Sequence, residues 1–91
     1  MALDITHLPA AHRFETRVDG VLCELDYGLH NQLMTILHTG VPPEVGGRGI
    51  AGELVRAALE AARRAGWKVV PACSYASVWM ERHPEFADVR A

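Results

Sequence analysis

The sequence is short of cysteine and of long apolar runs, and each shortage excludes a class of protein. Only two cysteines occur in 91 residues, Cys23 and Cys73, and they form no CxxC motif. This excludes a disulfide scaffold and a cysteine-rich zinc site, and it favours a cytoplasmic protein with reduced thiols. The apolar runs are too short to cross a membrane, and the N-terminus lacks the basic and apolar regions of a signal peptide.

An excess of positive charge is also missing. The 9 Lys and Arg residues against 11 Asp and Glu residues give a net charge of -2. Nucleic-acid-binding domains are usually strongly basic, so no nucleic-acid partner is expected. The 5 histidines have no HxxxH or HExxH spacing, so no metal site is expected. A chain of 91 residues, 49% of them hydrophobic, fits one domain over 1–91 with one modest core.

The N-terminal part of the chain alternates between apolar and polar side chains, which predicts an antiparallel meander. Its three strands cover 12–18, 21–27 and 32–39. Asp19-Gly20 between the first two strands is a strong hairpin signal, and a second turn is predicted at 28–31. Residues 1–11 are weakly patterned and predict only a lead-in to the sheet.

A glycine-rich stretch at 46–49 marks the change from strands to helices. From Ile50 the apolar residues recur at helical spacing, so a helix is predicted over 49–65, with Gly66 just beyond its C-terminus. A short fourth strand is predicted over 67–70, where Pro71 stops it. A second helix then covers 74–82, with Ser74 as its N-cap.

The third strand, the first helix and the fourth strand form a βαβ unit. Such crossovers are right-handed, so the two strands lie parallel and their carboxyl ends share one edge of the sheet. The glycine stretch and Cys73 follow these two strands, at the edge where open α/β sheets bind ligands. The predicted fold class is α/β with a mixed sheet, in which an antiparallel meander precedes the parallel β-α-β unit and a C-terminal helix.

The glycine loop at the start of the first helix favours an anionic ligand. Glycines allow close approach of the backbone, and the first N–H groups of a helix are unsatisfied and suit a phosphate or pyrophosphate. The alternative is a turn followed by a flexible helix start. The GxGxxG spacing at 47–52 matches a dinucleotide fingerprint, but no carboxylate ends the next strand. No Lys-Ser or Lys-Thr follows the glycines, so neither NAD nor ATP is expected.

The order of elements, together with this loop, resembles the GNAT superfamily of acyl-CoA N-acyltransferases. Their pyrophosphate loop follows the pattern Gln/Arg-x-x-Gly-x-Gly/Ala. Here the pattern falls on Gly46, Gly47, Arg48, Gly49, Ile50 and Ala51. Gly46 stands where Gln or Arg is usual, which weakens the side-chain contribution to phosphate binding and leaves the backbone and Arg48.

Three further segments resemble a small family of single-domain GNAT-like predicted acetyltransferases, over roughly residues 5–90. They are His-Thr-Gly-Val-Pro-Pro-Glu at 38–44, Lys-Val-Val-Pro-Ala-Cys-Ser-Tyr at 68–75 and Arg-His-Pro-Glu-Phe at 82–86. The resemblance implies acetyl-CoA or coenzyme A as ligand and a primary amine, on a small molecule or protein, as acceptor. The alternative is a non-catalytic CoA-binding or protein-interaction module. A monomer or weak homodimer is expected.

The same resemblance implies a set of cofactor-binding residues around the two loops. They are His38, Thr39, Gly40, Val41, Gly46, Gly47, Arg48, Gly49, Ile50, Ala51, Ser74 and Tyr75. The Arg63-Arg64 pair fits a solvated helix face, and the alternative is that a distal arginine meets the adenosine 3′-phosphate. Pantetheine is then expected between the third and fourth strands, along the strand backbone from 38 to 41.

Three residues are candidates for catalysis. His38 could take a proton from the acceptor amine, or it could hydrogen-bond the strand end to the loop. In many GNAT enzymes a tyrosine on the helix corresponding to that of Tyr75 protonates the departing thiolate, although simple packing is the alternative. Cys73, beside the predicted helix start, could accept the acyl group as a thiolate. The alternative is a small residue that lets the cofactor pass during direct transfer.

Overall fold

Five strands form one mixed sheet in the computed structural model, which describes residues 3–91. The strands are β1 (Thr6–Leu8), β2 (Arg13–Val18), β3 (Val21–His30), β4 (Leu33–Gly40) and β5 (Lys68–Pro71). They lie in chain order across the sheet; β1 to β4 pair antiparallel, and β5 pairs parallel with β4. The predicted meander followed by a parallel βαβ unit is therefore confirmed.

The lead-in predicted over 1–11 contains an additional edge strand, β1, followed by a 3-10 turn at Pro9–Ala11. Residues 1–2 lie outside the described part of the chain. Strand β1 is too short for its alternation to show in the sequence. It is held by tertiary contacts instead: His7 stacks on Phe14 with ring centroids 4.1 Å apart, and a 2.7 Å hydrogen bond joins its Nε2 to Tyr27 Oη.

The second turn of the meander lies later than predicted. Strand β3 continues through 28–30 to His30, and Gly28 pairs with Thr35 inside the sheet. The turn itself is Asn31-Gln32, with φ angles of 48° and 64°. Two consecutive positive φ angles are typical of the two-residue turns that suit the twist of a β-hairpin. The turn predicted at 28–31 is therefore placed too early, because Gly28 lies inside a strand rather than in a turn.

Helix α1 (Ile50–Ala65) packs its apolar stripe on one face of the sheet. Leu54, Val55 and Leu59 are fully buried against strand residues such as Leu25 and Met34. The helix ends at Gly66, whose φ of 77° lets its N–H reach the carbonyls of the last turn. The predicted span and C-terminal glycine of this helix are confirmed.

Helix α2 (Ser74–Glu81) begins at the first residue of the predicted span and ends one residue before its last, and its N-cap differs from the prediction. Cys73 is the N-cap, in extended conformation, and Ser74 is the first helical residue rather than the cap. Pro71 belongs to β5 instead of stopping the strand before it. At the other end of α2, the His83 Nδ1–H donates to the Trp79 carbonyl oxygen at 2.7 Å. Neither described helix is both long and apolar enough to cross a membrane.

The opposite face of the sheet carries charged side chains, and we call it the polar face. In the antiparallel register Arg13, Asp26 and His38 lie side by side, as do Glu15, Glu24 and Gly40. Residues opposite each other in antiparallel strands project to the same side of the sheet. These six residues define the polar face, which alternates with buried positions such as Phe14 and Leu25.

Candidate active site

Strands β4 and β5 separate at their carboxyl ends. Their pairing ends at Ile36 and Pro71, whereas β4 continues to Gly40. The N–H groups of Ala72 and Cys73 both donate to the Ile36 carbonyl oxygen, each at 3.0 Å. These two bonds close the base of a notch between the strands. The last residues of β4 extend past this point along one side of the notch.

A β-bulge in β4 lies at the base of the same notch. On β3, Tyr27 is opposite Ile36 while its neighbour Asp26 is opposite His38, so Leu37 is the extra residue. A bulge bends its strand and increases the local twist. We infer that it contributes to the separation of β4 from β5. Leu37 is 56% exposed, which is high for a leucine in a central strand.

The glycine loop joins the end of β4 to α1 and lines a cavity. Gly47 and Gly49 have φ angles of 77° and 78°, which glycine adopts without strain. Gly49 is the N-cap of α1, and no side chain within residues 3–91 makes a capping hydrogen bond there. The first amides of this helix are therefore available to an anion. The cavity measures about 340 Å³. Its walls are Val41, Gly46, Gly47, Gly49, Ile50, Ala51 and Tyr75.

Cys73 lies at the carboxyl end of β5, where α2 begins. Its Sγ is 3.7 Å from Thr39 Oγ1 on β4. Burial by itself would raise the pKa of the thiol, but the N–H of Ala76, the Thr39 hydroxyl and the N–H of Tyr75 favour the thiolate. Together they hold the pKa of Cys73 below its ordinary value. Cys73 is thus a thiol with increased thiolate character.

Tyr75 stands at the start of α2 and forms one wall of the cavity. Burial raises the pKa of its phenol, and the neighbouring Cys73 thiol raises it further. The phenol therefore stays protonated at neutral pH and can donate a proton. Gly52 on α1 faces the same helix: a Cβ there would lie 3.3 Å from Tyr75 Oη and 3.0 Å from Trp79 Nε1. This glycine lets the two helices approach closely.

The arginines suggested for phosphate binding are engaged elsewhere. Arg48 Nη1 lies 2.7 Å from Asp19 Oδ2 in the β2–β3 hairpin, so its guanidinium is directed away from the cavity wall. Arg63 lies near the far end of α1, where its Nη2 is 2.6 Å from Asp88 Oδ1. The guanidinium of Arg63 is thus engaged with the segment that follows α2.

His38 projects from the polar face. The His38 side chain is 59% exposed, and its Nε2 lies 3.7 Å from Glu24 Oε1. The next residue, Thr39, projects from the helix face beside Cys73. The structure thus brings Cys73 and Thr39 together, whereas the His38 side chain lies on the other side of the sheet. Sequence reasoning missed Glu24 as a site residue, because its position beside His38 depends on the β3–β4 register.

The predicted cofactor residues fall into distinct groups. Seven line the cavity, Thr39 contacts Cys73, and His38 and Gly40 belong to the polar face. Ser74 is exposed at the first position of α2.

Within residues 3–91, no group of three or more His, Cys, Asp or Glu side chains could hold a metal ion.

Comparison with known proteins agrees with this architecture. Residues 13–89 match the sequence model of the GCN5-related N-acetyl-transferase family. The chain is also similar to a Staphylococcus aureus protein whose NMR solution structure carries the provisional description of a GCN5-like N-acetyltransferase. The two are 32% identical with a TM-score of 0.78, and the match covers 98% of this chain and 88% of the other. Because the family match spans most of the sequence and the folds agree, this chain belongs to the GCN5-related N-acetyltransferase family.

Proposed function

We propose that this protein transfers an acetyl group from acetyl-CoA to a primary amine. The observation that carries the proposal is the meeting of two features at one notch. The uncapped N-terminus of α1 opens onto the cavity of about 340 Å³, and Cys73 lies where β4 and β5 separate. One feature suits the phosphates of the donor, and the other lies where a thioester would be processed.

The donor is proposed to bind along the notch. The backbone amides between Gly46 and Ala51 would hold its pyrophosphate, with Gly47 and Gly49 allowing close approach. The segment from His38 to Val41 extends past the pairing with β5, and its edge away from β3 would pair with the amides of pantetheine. Arg48 would contribute only by leaving Asp19, since the two are paired at 2.7 Å.

Two chemical routes lead from this site to the product. In the covalent route the Cys73 thiolate attacks the thioester carbonyl, the C–S bond to coenzyme A breaks, and the departing thiolate takes a proton from Tyr75. The acceptor amine, which has lost its ammonium proton, then forms the C–N bond, and the bond to Cys73 Sγ breaks to release the thiolate. The remaining N–H proton that is lost passes to the Tyr75 phenolate. In the direct route the amine attacks the thioester itself. The lowered pKa of Cys73 favours the covalent route.

A turnover assay tests the proposed function. Purified protein is incubated with acetyl-CoA and a panel of primary amines, and mass spectrometry measures the acetylated amine. We expect acetylated product in amounts that depend on enzyme concentration. Release of coenzyme A without acetylated amine, or donor binding without turnover, would instead support a non-catalytic CoA-binding module.

A matched pair of glycine variants serves as control in this assay. Gly49→Val and Gly66→Val each place a branched side chain at a positive φ, 78° and 77°, at opposite ends of α1. Both impose similar backbone strain. Only Gly49 borders the proposed donor site. We expect Gly49→Val to lose turnover and Gly66→Val to retain it when assayed at a temperature where both variants are folded.

A further inference from the structure

Glu24 forms a pair with His38 on the polar face. Glu24 Oε1 lies 3.7 Å from His38 Nε2, which is within ion-pair reach but longer than a hydrogen bond. The register places Glu24 directly opposite Gly40. A Cβ at position 40 would collide with Glu24 Oε1 and lie 3.0 Å from His38 Nε2. The absence of a side chain at Gly40 thus provides the space in which the two groups meet.

The neighbouring carboxylates have a different partner. Asp26 is directly opposite His38, but its Oδ1 lies 2.7 Å from Arg13 Nε. Glu15, directly opposite Glu24, lies 3.3 Å from Arg13 Nη1. In the described part of the chain, the ion-pair contact of Glu24 is with His38 alone. Arg13 therefore pairs with both flanking carboxylates, and Glu24 is left to contact the imidazole.

The pair stands beside the notch where β4 and β5 separate. His38 follows the bulge at Leu37 and precedes Thr39, whose Oγ1 lies 3.7 Å from Cys73 Sγ. The cavity at the start of α1 lies towards the helix face, and His38 lies on the polar face. The helix-face side of the notch thus suits an anionic donor, and the polar-face side carries carboxylates and an imidazole. A cationic amine is the acceptor that this second side suits.

We propose that Glu24 is a positioning residue that orients and supports His38 as the proton acceptor for a cationic primary amine arriving at the polar face. This inference rests on the proposed function. His38 takes one proton from the ammonium group, and the freed lone pair forms the C–N bond to the acetyl carbon. The C–S bond to that carbon breaks, and the second N–H proton passes to the departing thiolate, which leaves a neutral amide. The first proton leaves the imidazole to solvent. The Glu24 carboxylate stabilises the imidazolium that exists between these two steps.

The test compares four variants with the wild type: Glu24→Gln, His38→Gln, their double variant and the control Glu15→Gln. The control removes the same charge from the same face, one strand farther from His38. We expect Glu24→Gln to slow acetyl transfer to the amine at least about tenfold. We expect His38→Gln to slow it roughly a hundredfold. The double variant should be no slower than His38→Gln, because Glu24 acts through His38. Glu15→Gln should stay within about twofold of wild type.

A comparison of kcat with KM separates a positioning role from a merely structural one. Loss of the carboxylate should lower kcat and leave the KM for acetyl-CoA unchanged in Glu24→Gln, whereas both constants should stay unchanged in Glu15→Gln. The charged groups around the pair, Arg13, Glu15 and Asp26, remain in Glu24→Gln. A wild-type kcat in this variant, or a change equal to that of Glu15→Gln, would overturn the inference. Gly40→Ala gives a second variant: it displaces the carboxylate without removing its charge, so kcat should fall as in Glu24→Gln.

Two measurements keep this inference distinct from the proposed function. Coenzyme A binding, followed by NMR, should be unchanged in Glu24→Gln, because the Glu24 side chain projects from the polar face and not towards the glycine loop. If the wild type acetylates no amine, the proposed function fails. The pair is then judged by the NMR signals of the His38 ring at one fixed pH: a change of these signals in Glu24→Gln but not in Glu15→Gln supports it. Ring signals that stay unchanged in both variants refute it.

Discussion

Thr39 Oγ1 lies 3.7 Å from Cys73 Sγ, although the two residues are 34 positions apart in the chain. Each stands at the carboxyl end of one of the two parallel strands, beyond the point where their pairing ends. The contact thus places a hydroxyl and a thiol together at the mouth of the notch. It joins the two segments of chain between which the donor is proposed to bind.

Cys73 should react faster than Cys23 with an alkylating reagent. Cys23 is fully buried, and burial raises the pKa of its thiol, whereas the pKa of Cys73 is lowered. At neutral pH we expect Cys73 to be labelled at least about tenfold faster, because the thiolate is the reactive form. Peptide mass spectrometry at early times measures both rates, and coenzyme A should protect Cys73. Equal rates would show that Cys73 does not face the notch.

Replacement of Thr39 by valine should slow alkylation of Cys73. The Thr39 hydroxyl helps to stabilise the thiolate, so its loss raises the pKa of Cys73 and reduces the thiolate fraction at neutral pH. We expect the pH dependence of alkylation to move to higher pH. Thr35→Val, in the same strand, is the matched control and should leave that dependence unchanged. A shift of equal size in both variants would remove the role given to Thr39.

Substitution of Cys73 by alanine distinguishes the two routes of transfer. In the covalent route, brief exposure of wild-type protein to acetyl-CoA yields an acetyl group on Cys73, and Cys73→Ala loses transfer. Steady-state kinetics of the wild type should then show a ping-pong pattern. Intact-mass spectrometry and amine acetylation measure these outcomes, with Cys23→Ala as control. Full activity in Cys73→Ala would establish direct transfer and reduce Cys73 to a small wall residue.

The fold should lose stability as the pH falls below about 6.5, partly through His7. Burial lowers the pKa of His7, and the charge of Arg64 lowers it further. The unfolded chain therefore binds this proton more readily, so the stabilisation is present at higher pH and lost as the pH falls. Thermal unfolding at a series of pH values should show a weaker pH dependence in His7→Gln. The exposed His30 gives the control, and His30→Gln should behave like wild type.

The βαβ unit was predictable because its signals are local. The glycine stretch, the helical spacing after Ile50 and the C-terminal Gly66 each act within a few residues, and all three were confirmed. Strand β1 could not be predicted, since its three residues are held by His7 against Phe14 and Tyr27 rather than by their own pattern. Such tertiary contacts have no counterpart in the local sequence.

The candidate site also contains parts that the sequence predicts and parts that depend on tertiary contacts. The glycine loop and Cys73 were predictable as neighbours, because parallel strands bring their carboxyl ends to one edge. Glu24 was not, because its role depends on which carboxylates Arg13 engages and on the space left at Gly40. Both facts come from the register of three strands, and the bulge at Leu37 changes that register within the strand.

Titration of the isotope-labelled protein with coenzyme A, followed by amide NMR, tests whether the glycine loop and the notch bind the donor. We expect the amide signals from Gly46 to Ala51 to move most, those of Thr39 and Cys73 to move as well, and Gly49→Val but not Gly66→Val to weaken binding. Amide signals of the glycine loop that stay unmoved at about millimolar coenzyme A, a concentration far above the dissociation constant expected of a specific site, would contradict the proposed donor site.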